Sequence, residues 1–408
     1  MLRGQEPTDS KAEPRSRVRR VLIVPVAIVA AAAIAVVLVT LSRHQLMVFA
    51  APDRMTYDWR TALFSHQEPQ TRKDIALIYI GDRSLARYPY QLPIDRGLLA
   101  EIVRTLDAAG AKAIGLDIIV DRETDKDDLL ADAIRNSKTP VVIGAIDSRM
   151  TGVEPENFAY QRAFFEKAGN PPVGHVYFFR QRRGLGLPDQ VIRFLPPRSD
   201  ATDQVQKSFT EALLEAGKHE PRDVGDLIAW TEKRAANGAE SFDGIEIQSH
   251  RPQDLSPDVI VRPEWRNRVK DKIVIVGGDF EDRDRHLTPM SIADGARAPG
   301  AWIQAQILAQ LIDGRSIHGL TDSQEFSVAF LLGLVGIFGG RLFRLQDFQW
   351  LVYAAGFLAL VAVGVRLFES GIILPSDTTF YSLIAGIAVG HYSQRILAWF
   401  RLRKKSIA

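Results

Sequence analysis

The chain has 408 residues, with 51 basic against 49 acidic side chains, a net charge of +2 and no cysteine. A balance this close to neutral gives no reason to expect nucleic acid as a partner. Without cysteine, disulfide frameworks and thiolate metal sites are excluded.

Residues 1–20 hold Arg3, Lys11, Arg15, Arg17, Arg19 and Arg20 with Pro7 and Pro14, and read as a basic cytoplasmic arm. Residues 21–41 then run without a charge, long enough to cross a hydrocarbon core of ~30 Å. The rival reading is a cleaved signal peptide ending near Val48-Phe49-Ala50. Signal cores span only about 7–15 residues, so the longer run favours an uncleaved anchor.

Residues 42–325 form a polar middle. The stretch 74–81 (DIALIYIG) is an apolar strand. Over 95–109, Leu98, Leu99, Ile102, Val103 and Leu106 recur at helical spacing, with Asp95 as N-cap and Gly110 as stop. A strand at 113–120 carries Asp117, residues 125–137 read as a helix, and 140–146 as another strand. This rhythm implies a parallel sheet with helices on its faces. Residues 148–258 are less regular, with strand-like 173–179 and 191–195 and a helix over 204–216. Late strands follow at 259–261 and 273–276. The second closes at Gly277-Gly278 and leads into Asp279, Glu281, Asp282, Arg283, Asp284, Arg285 and His286. Pro299-Gly300 then opens the helix AWIQAQILAQLIDG.

The last stretch holds apolar segments at 326–345, 349–368 and 372–395, expected as three packed transmembrane helices before a basic tail at 396–408. Arg341 and Arg344 follow the first, Glu369 and Asp377 flank the turn after the second, and Arg395, Arg401, Arg403, Lys404 and Lys405 follow the third. Under the positive-inside rule both termini are cytoplasmic and 42–325 lies outside. Gly336 with Gly340, and Gly386 with Gly390, make two G-x-x-x-G pairs that permit close helix contact. Packing within the chain is the simpler account of them, and homodimerisation the alternative.

Binding groups in open α/β sheets collect beyond the carboxyl ends of strands. Asp82, Asp117 and Asp279 each fall at such an end and are expected to form an acidic cluster for a hard cation or a cationic ligand, or else to cap helices and loop amides. A carboxylate inside an apolar strand needs a partner, and Arg96 or Arg283 is the candidate for Asp117. The run from Arg283 through Asp284 and His286 to Pro289 is either a recognition loop or a structural ion-paired turn. His286 lacks a zinc-spaced partner, and no nucleotide-binding or hydrolase motif is present. No cofactor, no metal and no catalysis are expected.

Several ordered pieces resemble the second class of CHASE domains, extracellular sensory modules associated with cyclases and histidine kinases. They are Tyr57-Asp58-Trp59-Arg60, IYIGDRSLARYPY with Asp82, Ser84 and Leu85, Asp95-Arg96, GAKAIGLDIIV with Asp117, DKIVIVGG, RDRHLTP and PGAWIQAQILAQLIDG. Tyr88-Pro89-Tyr90 stands where members often carry Trp-Pro-Trp, and Gln304 where a histidine is usual. Only RLRKKSIA follows Phe400, so output is expected from a separate protein partner. The resemblance implies a multi-pass protein of a bacterial inner membrane: an external α/β domain with a parallel-type (mixed) sheet, one transmembrane helix before it, a three-helix transmembrane bundle after it, and a sensory role. A non-switching envelope scaffold is the competing reading, and an external metal-dependent hydrolase a remote third.

Overall fold

The computed structural model describes residues 14–43, 47–86, 88–178, 190–199, 203, 205–247, 263–281, 284–342 and 349–405. In chain order the helices are α1 (Pro14–Arg43), α2 (Met47–Phe64), α3 (Arg96–Ala109), α4 (Asp127–Asn136), α5 (Pro155–Lys167), α6 (Phe209–Ala216), α7 (Pro263–Val269), the single turn α8 (Ser291–Asp294), α9 (Gly300–Asp313), α10 (Asp322–Leu342), α11 (Gln349–Glu369) and α12 (Ser376–Lys405). The chain divides into an α/β unit within 57–318 and a helical unit formed by the segments on either side of it.

Strands buried on both faces need unbroken apolar runs instead of alternation. Such runs dominate β1 (Ile75–Gly81), β2 (Ala113–Ile119), β3 (Val141–Ala145) and β6 (Ile273–Asp279), while the short β4 (Val173–His175) and β5 (Asp243–Glu246) are the more polar edge strands. They form one six-stranded sheet in the order β4-β3-β2-β6-β1-β5. Every pairing in it is parallel. The latest strand therefore fills the centre: Ile273 pairs with both Ile75 and Ala113, Gly277 pairs with Asp117, and Asp279 with Gly81.

Helices cover both faces. On one, α3, α4 and α5 bury Leu98, Ile102, Leu130, Ile134, Phe164 and Phe165. On the other, α6 and α9 bury Phe209, Leu213, Ile303 and Ile307 beside the stacked rings of Trp230 and Trp302. The predicted ends of α3 hold for local reasons: the Asp95 carboxylate accepts from Leu98 N at 3.0 Å, and Gly110 takes the left-handed conformation at φ 80°.

Several expectations need correction. The helix predicted over 204–216 starts only at Phe209, because Ser208 and Glu211 close a reciprocal capping box there. The strand predicted over 173–179 ends at His175; Phe179, like 259–261, lies outside the described residues. Residues 191–195 make isolated bridges, Val191 to Leu287 and Phe194 to Leu227, instead of joining the sheet. No helix is predicted over 47–64, yet α2 forms. Its buried end mixes Tyr57 with the polar Asp58 and Thr61, which weakens any apolar period.

In the helical unit α1, α10 and α12 pack on one another. Ala27, Ala31, Ala35 and Val39 recur every fourth residue along α1 and are buried with Ala329 and Ile337 of α10. Gly336, Gly340, Gly386 and Gly390 all lie at the α10–α12 contact. A Cβ on Gly336 would sit 2.5 Å from Leu383 O, and one on Gly390 would strike the Ile337 carbonyl. The expected bundle of the last three helices is thus corrected. Its third member is α1, while α11 leaves Phe357, Leu358, Val361 and Val363 exposed and meets α12 through the edge-to-face pair Phe357–Phe380. Unlike the glycines of the α10–α12 contact, Gly356 of α11 faces open space. Asp53 of α2 caps α12, accepting from Ser376 N at 2.6 Å and Asp377 N at 3.0 Å. Among the described residues one helix, Asp322–Arg341, is long and apolar enough to cross a membrane by length and composition, and Pro25–Leu41 is a shorter apolar helix.

Candidate ligand-binding site

Asp117 lies near the carboxyl end of β2, level with Gly277 of β6. Glycine is required opposite it. A Cβ on Gly277 would come 2.7 Å from Ala301 Cβ and 3.4 Å from Asp117 Cβ, so only glycine lets the start of α9 settle onto the strand. Beyond β6 the chain folds back through β7 (Arg285–His286), which pairs antiparallel with β8 (Ala298–Pro299). Two backbone bonds pin the turn: Asp284 N donates to Phe280 O at 3.1 Å, and Gly300 N donates to Asp284 O at 3.1 Å.

Asp117 and Asp284 therefore converge on the first residue of α9. A Cβ at Gly300 would lie 3.2 Å from Asp284 Oδ1, 3.5 Å from Asp117 Oδ2 and 3.7 Å from His286 Nε2. The side chain of Gln304, one turn into α9, lies beside the Asp117 carboxyl and favours its charged form. Its own Oε1 is buried and has no partner. His286 Nε2 stands 3.9 Å from Asp284 Oδ1. Burial pushes the Asp117 carboxyl up to about 7, with the Gln304 hydrogen bond pulling the other way. Burial also pushes Asp284 up to about 8, reinforced by the charges of Asp117 and then Asp279.

Both carboxyls open onto a cavity of about 1170 Å³ whose wall also includes Arg96, Ile118, Tyr177, Phe178, Phe280 and His286. Arg96, the first residue of α3, has a fully buried side chain that bonds through Nε to Asp127 Oδ1 at 3.3 Å. Its two terminal nitrogens have no hydrogen-bond partner. The other guanidinium groups on the wall are engaged. Arg122 pairs with Asp121 at 3.1 Å, and Arg149 pairs with Asp147 while lying 4.8 Å over the Tyr177 ring.

The structure brings together Asp117, Asp284, His286 and Arg96 of the predicted residues, and leaves out two. Asp82 is exposed just beyond β1 and does not line the cavity. Asp279 lies two residues past the level of Asp117, ~7 Å along the strand, and Arg285 takes both its oxygens at 2.7 and 3.2 Å. The expected Asp82–Asp117–Asp279 cluster does not form, and among the described residues no group of three or more acids and histidines is arranged to hold a metal. The partner of Asp117 is Gln304 and not Arg96, whose carboxylate is Asp127. Arg283 lies outside the described residues. Sequence reasoning missed Asp127, Tyr177 and Phe178; the Asp127 carboxylate accepts from Thr124 N, a local loop signature that could have flagged it.

The raised carboxyls carry a consequence for stability. Their folded values exceed the unfolded value of 3.8, so the folded chain keeps protons that the unfolded chain has released. The stability they contribute is complete below that unfolded value and is lost as pH rises through about 7 and 8. Unfolding free energy is therefore expected to fall between about pH 5 and about pH 9, by an amount on the order of 2 kcal/mol after allowing for the partial exposure of Asp284, and the melting temperature with it. Thermal unfolding of Asp117→Asn should give a flatter profile and a higher melting point at the alkaline end. A profile as steep as that of the parent chain would refute the assignment.

A family model for the CHASE2 domain matches residues 31–338. Searches among curated proteins and among solved structures return no match. The match spans β1 to β6, the Asp117–Asp284 site and most of α10. The chain belongs to the CHASE2 domain family, whose members are extracellular sensory domains of membrane proteins.

Proposed function

We propose that this chain is a bacterial inner-membrane sensor whose α/β unit faces outward and binds a ligand in the cavity beside Asp117 and Asp284. The observation that carries this reading is the site itself: two desolvated carboxyls and an incompletely bonded buried arginine on the wall of one cavity, at the sheet edge where α/β folds bind ligands. Binding biases one of two states, and a partner protein reads that bias at the inner face. The chain binds and does not catalyse.

The topology in this proposal is four spans, residues 21–41, 326–345, 349–368 and 372–395, with both termini cytoplasmic. The distribution of arginine and lysine along the chain supports it. Because the chain has no cysteine, single replacements test it without background. A membrane-impermeant thiol reagent is expected to label Asp82→Cys in intact cells and Lys405→Cys only after permeabilisation. Equal labelling of the two would reject the topology.

The sensory role is tested by capture of the full chain from mild detergent at native expression. A reproducible second protein is expected, recovered in a different amount from Asp117→Asn/Asp284→Asn. A chain recovered alone overturns the proposal. Recovery unchanged by the double substitution would make the chain a non-switching scaffold.

A further inference from the structure

We infer that α9 carries the state of the Asp117–Asp284 site to α2, through two buried glutamines and the backbone segment 227–231. This rests on the reading that the chain senses at that site, and adds the route by which an event there leaves the cavity.

The route begins at the first turn of α9. Asp284 Oδ1 and Asp117 Oδ2 flank Gly300, 3.2 and 3.5 Å from where its Cβ would stand, and Gln304 lies beside the Asp117 carboxyl. A change in charge or occupancy between these carboxyls therefore acts on the end of this helix.

The body of α9 is buried and mostly apolar, yet Gln306 and Gln310 are 0% exposed within it. Burying an amide is costly unless its hydrogen bonds are made, and both are placed to make them with one segment. Gln306 Oε1 accepts from Thr231 N at 2.8 Å, and its Nε2 donates to Thr231 O at 3.0 Å. Gln310 Oε1 accepts from Ala229 N at 2.8 Å, and its Nε2 donates to Leu227 O at 2.9 Å. The helix thus offers residues 227–231 the donors and acceptors that a neighbouring strand would offer. Apolar side chains in contact can slide past one another by small steps. A buried amide pair cannot, because sliding strands a donor and an acceptor together. Segment 227–231 has to follow α9.

The same segment holds α2. Ile228 O accepts from Tyr57 Oη at 3.0 Å, and Ile228 N donates to Arg193 O at 2.9 Å. Arg193 in turn grips Asp58 through two bonds of 2.6 Å. Two residues past α2, His66 N donates to Trp230 O at 3.2 Å, and Glu232 N donates to His66 O at 2.8 Å. One strap therefore fixes two consecutive residues of α2 and is itself fixed to α9. All these bonds lie within the α/β unit, and Tyr57 is the residue at which the chain enters that unit. Two discrete arrangements of such a hydrogen-bonded chain are what coupling between distant sites requires.

The test uses spin-label distances in the full chain in detergent, with protons as the probe. Burial holds the Asp117 and Asp284 carboxyls at about 7 and about 8, so a step from about pH 5 to about pH 9 changes their charge. Other groups face them: His286 on β7, Asp279 on β6 held by Arg285, and Arg96, Asp121, Arg122, Arg149 and Tyr177 on the cavity wall. Asp117→Asn/Asp284→Asn is the control for these. The chain has no cysteine of its own, so labels go only where cysteines are placed. Leu63→Cys paired with Leu129→Cys reads α2 against α4, both positions being exposed. Ala296→Cys paired with Leu129→Cys reads the exposed loop that leads into α9.

Both distances are expected to change across the pH step in the otherwise unaltered chain, and neither in the double asparagine variant. In Gln306→Met/Gln310→Met the Ala296 distance should still change while the Leu63 distance loses most of its change. Tyr57→Phe removes one hydroxyl and keeps the ring, so it gives the same reading, with a smaller loss, if the glutamine variant does not fold. A Leu63 distance that stays fixed while the Ala296 distance moves overturns the inference and leaves the sensing site in place. A Leu63 change that persists undiminished in Tyr57→Phe, or in the double asparagine variant, overturns it as well. So does a chain in which neither distance moves, and the capture experiment then decides separately whether the site senses at all.

Discussion

Arg193→Ala is expected to cost about 3–5 kcal/mol, enough to unfold much of the α/β unit, because removing one member of a buried ion pair strands the other. Arg193 holds Asp58 in a bidentate grip, Nε to Oδ1 and the terminal nitrogen to Oδ2, both at 2.6 Å. The two residues are 4% and 5% exposed. Without the guanidinium, the Asp58 carboxylate keeps its desolvation cost and loses this bidentate pair of charge-assisted bonds. Replacing both members should recover most of the loss, since a buried pair exchanged for apolar residues of similar volume is often near neutral. Near-ultraviolet circular dichroism of the full chain in detergent reads the outcome, because the stacked Trp230 and Trp302 lie in the core of the same unit. If Arg193→Ala melts within ~0.5 kcal/mol of the parent, the pair carries no such weight.

Gly386→Leu should be the most damaging single change in the helical unit. A Cβ there would strike the Gly333 carbonyl and come 3.1 Å from Gly336 Cα, all backbone that no rotamer change can move aside. Overpacking of that kind costs roughly 1–3 kcal/mol, and more where the backbones themselves must part. The chain supplies its own control. Gly339, on the same helix as Gly336, has nothing within 4 Å of an added Cβ. Gly339→Ala is expected to be neutral or to stabilise α10 by about 0.5–1 kcal/mol through reduced freedom of the unfolded chain. Resistance of the full-length variants to unfolding in dodecyl sulfate ranks them. Equal losses at Gly386 and Gly339 would remove the case for a glycine-mediated α10–α12 contact.

What could be read from the sequence divides along the distance over which each cause acts. The Asp95 cap, the Leu98–Leu106 period and the Gly110 stop are local, and α3 follows its expected course. The capping box of Ser208 and Glu211 is equally local and was there to be read, yet the expected helix starts at 204. Asp117 stood out as a carboxylate in an apolar strand. Its partner did not, because Gln304 reaches it only once α9 lies across β6. The error over Asp82 and Asp279 is one of level and neighbours: three strand ends on one edge suggest a cluster, but Asp279 is drawn off by Arg285 and Asp82 faces solvent. Likewise Asp58 belongs to a recognisable motif, while nothing near it announces Arg193.

The position of β6 bears on how the protein is made. β1 and β2 leave the ribosome early, but the strand that joins them, Ile273–Asp279, comes after most of the unit has been synthesised. Until then the two half-sheets, β2-β3-β4 and β1-β5, each present a raw edge, the kind of surface that pairs with whatever it meets. Pairings so distant in sequence form slowly, so nascent chains should depend on a holding chaperone and aggregate if synthesis halts before residue 273. Because Gly277 and the Asp284 turn arrive with that last strand, the binding site comes into being only as the sheet closes. An occupied site is then also a certificate that the domain has finished folding.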